Sequence, residues 1–172
     1  MPVSIIFEVR GEPKPQPRPR AFVRKTSFGP IARVYDAGTA ENWKSLVAEA
    51  ARPFIPVEPL TGPLSLSVEF WLPRPATHFI ASKRERGLKQ NAPTFHTSRG
   101  DVDNFSKAVM DALTVLRLWH DDEQVAELVA SKRYEDPVTG PGALIRIERP
   151  VAYVAAPVVP EQPLLISETT PA

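Results

Sequence analysis

The sequence predicts an α+β fold (α/β in the broad sense): a small mixed β-sheet packed with helices, in one domain over residues 1–149, with a flexible Pro-rich tail at 150–172. Three observations carry this. Short apolar stretches with a period of two mark strands, and longer ones with a period near 3.6 mark helices. The order reads β, α, β, a possible α, α, β, β, which calls for helices laid on a mixed sheet. Proline, at 20 of 172 residues, punctuates the chain but is missing between Pro93 and Pro137, so the folded centre lies there.

The elements follow in order. Ser4–Val9 reads as a strand leading into a proline-rich segment. Thr39–Arg52 is helical, with Trp43, Leu46, Val47 and Ala50 on one face and Pro53 as its stop. Leu64, Leu66, Val68, Phe70 and Leu72 alternate with Ser65, Ser67, Glu69 and Trp71, the pattern of a half-buried strand. The basic stretch 82–92 is read as a short helix or a mobile loop. Phe105, Ala108, Val109, Ala112, Leu113 and Leu116 recur at i, i+3, i+4, i+7, i+8 and i+11, an amphipathic helix. Gln124–Tyr134 and Ala143–Glu148 read as strands joined by the turn-forming run 136–142. The tail from Pro150 has no periodicity, five prolines and two charges.

Composition narrows the function. With no cysteine, disulfides, thiolate zinc sites and cysteine nucleophiles are excluded. The apolar runs are too short to span a bilayer, and the start MPVSIIFEVR does not resemble a signal peptide, so a cytoplasmic protein is expected. The net charge of +1 hides an asymmetry: residues 1–100 carry 15 Lys/Arg against 8 Asp/Glu, residues 101–172 carry 6 against 12. Such a split suits a protein that grips a polyanion beside an acidic pocket, although two solvated surfaces would read the same.

The acidic half centres on DVDNFSK at 101–107. If 101–103 is extended, Asp101 and Asp103 point the same way and Val102 points into the core. Two such carboxylates repel, and a proton or a cation relieves them; hard oxygen donors select Mg²⁺ or Mn²⁺. Asp103 also fits as the cap of the following helix, a purely structural use, whereas Asp101 has none. Lys107 is placed to project over the aspartates or to pair with Asp111 at i, i+4. Asp121 and Asp122 precede a strand and face opposite ways if extended, so one of them is expected to join the site. The D-x-D spacing alone is weak and leaves a capped surface helix and a metal site both open.

The residues from 101 to 125 resemble the RusA-type Holliday junction resolvases, whose pattern is D-[LIV]-D-N-x-x-K, then D-A-L, then W-x-D-D-x-Q-[VI]. Asp101 to Lys107, Asp111-Ala112-Leu113 and Trp119 to Val125 match it in order. The run GEPKPQPRPRAF resembles that family's basic segment, so the likeness spans about residues 4–149. It implies a Mg²⁺-dependent (Mn²⁺ also fitting) endonuclease that acts as a homodimer on four-way DNA junctions in recombination and repair. Carried over, Asp101, Asp103 and Asp122 would be metal ligands and catalytic, and Lys107 the essential lysine. Asn104 and Asp121 would support them, and Asp111 would be structural.

DNA contacts are expected from Lys14, Arg18 and Arg20, held out by prolines at 13, 15, 17 and 19, and from Lys83, Arg84 and Arg86. The prolines never form P-x-x-P, which argues against an SH3 ligand. A plain connector and a solvated loop are the ordinary alternatives for the two segments. His78, His96 and His120 form no triad with Thr97 or Ser98. Two rival functions remain: cleavage of other branched DNA, and a non-catalytic DNA-binding regulator derived from the same family.

Overall fold

The alternation along residues 64–72 becomes the spine of the molecule. In the computed structural model, which describes residues 3–17, 20–26, 29–35, 40–80 and 87–151 (backbone only for 20–26 and 29–35), this stretch is a strand whose residues are alternately buried and half-buried along its whole length. The strands are β1 (Ser4–Arg10), β2 (Arg20–Thr26), β3 (Gly29–Tyr35), β4 (Leu64–Leu72), β5 (Val125–Tyr134) and β6 (Gly142–Glu148). The helices are α1 (Glu41–Ala51) and α2 (Val102–Val115). Four strands form a sheet in the order β1-β6-β4-β5, mixed because β4 and β5 run parallel and the other pairs antiparallel. The fold is thus the expected α+β arrangement.

One row across the sheet sets its sidedness. Phe7 pairs with Ile145, and Ile145 with Val68, and all three are buried. The next row, Glu8, Leu144 and Glu69, faces the other way. Both helices lie on the Phe7 side. α1 contributes Trp43, Val47 and Ala51 to the core, and α2 contributes Phe105, Ala108, Val109, Ala112 and Leu113, at the spacings their sequences predict. The Phe70 and Phe105 rings meet at 5.3 Å, tying β4 to the first turns of α2. Burying a side chain like Phe105 stabilises by roughly 2–3 kcal/mol, so the start of α2 is firmly anchored.

Two features go beyond the sequence reading. The strands β5 and β6 are not neighbours: β6 inserts between β1 and β4, where the apolar Ala143, Ile145 and Ile147 are covered. The hairpin β2–β3, paired from Arg20↔Tyr35 to Thr26↔Gly29, was not anticipated. It forms a separate two-stranded ribbon, in which Pro30 is tolerated because a two-stranded ribbon has only edges. Of the basic stretch 82–92, residues 87–92 hold no helix, and 81–86 lie outside the described residues. The tail from 152 onward lies outside them as well. Among the described residues no helix is long and apolar enough to cross a membrane.

Candidate active site

Gly100 sets the approach to the site. Its φ is +98°, and a Cβ there would lie 2.6 Å from Cε2 of the buried Phe105 ring, so both conformation and space require glycine. The Lys132 ammonium, reaching across from β5, donates to the Gly100 carbonyl and, at 3.4 Å, to that of Ser98. Neither residue was marked by the sequence pattern. A lysine in a strand gives no sign of which carbonyl it will meet.

From there the chain enters α2 two residues earlier than expected. Asp101, not Asp103, is the N-cap residue, with φ −73° and ψ 141°. Residues 101–103 are therefore not an extended run, and Val102, already helical, is 36% exposed rather than in the core. Phe105 is the residue that fills the core, and this rotates Val102 outward. The Asp101 side chain makes no capping hydrogen bond, and its carboxylate is exposed. Asp103 sits in the first turn, where the helix dipole favours a negative charge.

Lys107 does not lean over these two aspartates. Its ammonium donates to Asp122 Oδ2 at 2.6 Å and pairs with Asp111 Oδ1 at 2.7 Å. The hydrogen bond to Asp111, then that to Asp122, raises the lysine pKa well above its ordinary value, so it is charged throughout the neutral range. Asp111 also pairs with Lys44 of α1 at 3.4 Å, which makes it a junction between two lysines. The i, i+4 pair that the sequence offered as a structural use of Asp111 is present, and it places this carboxylate in direct contact with Lys107.

The run 119–124 delivers Asp122. Trp119 is buried, with its indole N–H donating to Thr114 Oγ1 at 2.7 Å. Asp121 caps the short 3-10 turn Asp122–Gln124, accepting from the Glu123 N–H at 3.1 Å. That bond, followed by one with Asp122, holds the Asp121 carboxyl below its usual range. Gln124 fastens the turn: its Oε1 accepts from the His120 N–H at 2.9 Å, and its Nε2 donates to the Leu60 carbonyl at 2.9 Å. Asp121 turns its carboxylate to the Glu123 N–H of its own turn, and Asp122 reaches Lys107. His120 is exposed and joins through its backbone N–H only.

Beside these groups lies an open cleft of about 510 Å³, lined by Gln16, Pro17, Asp103, Asn104, Lys107, Met110, Asp111 and Leu128. The proline-rich segment reaches it because the Gln16 N–H donates to the Asn104 carbonyl at 2.9 Å. Lys14, two residues away, pairs with Glu12 at 2.6 Å. Arg18, Lys83, Arg84 and Arg86 lie outside the described residues, and for Arg20 only the backbone in β2 is described.

The donor set is all carboxylate, which suits a hard cation, but the arrangement does not. Among the described residues no three metal-ligating side chains converge on one point. Asp122 and Asp111 are held instead on an ammonium. The site as built holds a lysine where a divalent ion would need oxygens.

A family model described as "Endodeoxyribonuclease RusA" matches residues 10–148, a span that begins at the last residue of β1 and contains β4, β5, β6 and both helices. A protein of Bacillus subtilis (strain 168), the "Uncharacterized protein YqaN", is 34% identical over 132 residues, covering 77% of this chain and 89% of the relative.

Proposed function

Since the chain belongs to the RusA endodeoxyribonuclease family, we propose that it resolves four-way DNA junctions, as a Mg²⁺-dependent homodimer that places paired symmetric nicks. The observation that carries this reading is the grouping of Asp103, Lys107 and Asp111 at one cleft with Asp122 bonded to Lys107, and Asp101 at the helix start beside it. Phosphodiester hydrolysis accumulates negative charge on the phosphate oxygens. A lysine ammonium facing a cleft can offset that charge, and the neighbouring carboxylates can orient a water molecule or accept its proton. The proline-stiffened segment docked at Asn104 would lead the DNA backbone to this cleft. Mg²⁺, with Mn²⁺ as substitute, is proposed from the oxygen donors and the family, not from a convergent ligand set.

The test is incubation with a synthetic mobile four-way junction and Mg²⁺, beside linear duplex, flap and splayed-arm DNA. Symmetric paired nicks confined to the junction are expected. Equal cutting of flaps would favour a broader branched-DNA nuclease. Tight junction binding with no cutting in Mg²⁺ or Mn²⁺ would favour a DNA-binding regulator.

A further inference from the structure

The joint between α2 and the stretch that carries Asp122 holds a residue at odds with its own backbone. α2 ends in a left-handed turn: the Arg117 N–H donates to the Thr114 carbonyl at 3.0 Å, and the Leu118 N–H to the Leu113 carbonyl at 3.1 Å. Burial fixes this turn, because Leu113, Leu118 and Trp119 all belong to the core. The residue at its apex must take a positive φ, which glycine adopts at least cost. Here it is Arg117, with φ +60°, the one non-glycine residue with a positive φ among those described. Among the described residues nothing in the fold uses its guanidinium. The carbonyls of Ala112, Leu113 and Thr114 are met by backbone N–H groups, so the helix end needs no side-chain cap. Arg117 is exposed, and among the described residues it has no hydrogen bond or ion pair. Nearby carboxylates are engaged elsewhere: Asp121 accepts from the Glu123 N–H, and Asp122 holds Lys107. Lys107, Lys44 and Lys14 are the reverse case, each sitting on a carboxylate.

From this we infer that Arg117 is a phosphate-binding residue for DNA, kept at the end of α2 for its charge and against the preference of its backbone. The inference rests on the proposal that the chain binds junction DNA, and it adds a contact at a position the family motif leaves open. Lys107, Asp111 and Thr114 follow one another along α2 at i, i+4 and i+7, and Arg117 comes at the end of that line. It stands ten residues beyond Lys107, about 15 Å along the helix axis. The phosphate it meets therefore belongs to a junction arm and not to the bond that is cut. A guanidinium without a carboxylate offers parallel donors to such a phosphate, and its binding releases a counter-ion from the DNA.

Backbone and charge give one substitution opposite signs. Arg117→Gly relieves the strained φ, so the thermal melt of the full chain should rise by about 2–4 °C. Its affinity for a synthetic four-way junction, read by fluorescence anisotropy in EDTA so that no strand is cut, should fall. The loss should be about fivefold at physiological salt, with the salt dependence flattened by about one unit of slope. Arg117→Lys keeps the charge, so it should keep the slope and melt with the unaltered chain. Unchanged affinity and slope in Arg117→Gly overturn the inference, because the side chain then touches no phosphate. A melt that fails to rise in Arg117→Gly overturns it too, because the arginine then serves the fold. Equal loss of slope in Arg117→Lys also overturns it, since charge at that position is then not what binds. All three outcomes leave the junction reading in place, because the unaltered chain still binds. An unaltered chain that binds neither the junction nor linear duplex would sink that reading and the inference together.

Discussion

A carboxylate replaced by its amide keeps its size and loses its charge. Asp101→Asn or Asp103→Asn should therefore lower junction cleavage by about a hundredfold or more while junction binding, read by gel shift, persists. Parallel loss of binding would make both residues structural. Asp111→Asn is expected to fall between these and the unaltered chain, since it releases one of the two anchors of Lys107. His96 supplies a pH signature. Burial first, then the positive charge of Lys132, lowers its pKa below the ordinary 6.5. The fold thus favours the neutral ring, so the stability it contributes is full above its ordinary pKa and is lost as pH falls through the lowered folded value. The rings of His96 and Tyr134 pack at 4.8 Å, and the cost of protonating this ring comes from its burial and from the charge of Lys132. Thermal melts from pH 7 to pH 5 should drop more steeply for the unaltered protein than for His96→Asn. Identical slopes would show that another group governs the acid side.

At the scale of elements, the extended segment before β2 is the clearest case. A backbone hydrogen bond from Gln16 to Asn104 docks it to α2, and prolines limit what else it can do. If it guides DNA, replacing Lys14, Arg18 and Arg20 together by Ala should weaken junction affinity. The salt dependence should also flatten, by up to roughly one unit of slope per lost phosphate contact. An unchanged slope, measured between low and physiological salt, would return the segment to a plain connector. The pairing of Lys14 with Glu12 makes Lys14 the smallest expected contributor of the three. The other element that matters is the 3-10 turn. It holds Asp122 in place because Asp121 caps it and Gln124 bonds backwards to His120 and to Leu60, in the stretch before β4.

For the whole molecule, the sheet has one face under helices and one that, among the described residues, carries none. Trp71 lies on the second face, half-buried, with its indole N–H donating to Glu69 at 2.8 Å and Arg10 over its ring at 5.8 Å. The polar end of the indole is thus satisfied within its own chain. The edge strand β5 adds Val129, 64% exposed, to this face, since it pairs with Ser67. A four-way junction has approximate two-fold symmetry, and a C₂ dimer would match it with one acidic site per subunit. Sedimentation at micromolar concentration should give about twice the 19.0 kDa chain mass. A monomer that still makes paired nicks on one junction would defeat the dimer.

The sequence by itself determined the helices and the four main strands, because periodicity reports which face of a segment is buried whatever covers it. It also marked Asp101, Asp103, Lys107 and Asp122, because unusual spacing of charged residues survives without a structure. The ribbon β2–β3 went unread because the proline-rich run before it, with prolines at 13, 15, 17 and 19, read as a connector. What periodicity cannot carry is partnership. That β6 lies between β1 and β4, that Lys132 meets the Gly100 carbonyl, and that Gln124 bonds Leu60, 64 residues away, all depend on contacts distant in sequence. The same holds at the site. The helix spacing allowed Lys107 to face either Asp101 and Asp103 or Asp111, and the fold chose Asp111 and added Asp122, because the 3-10 turn brings that carboxylate against the middle of α2.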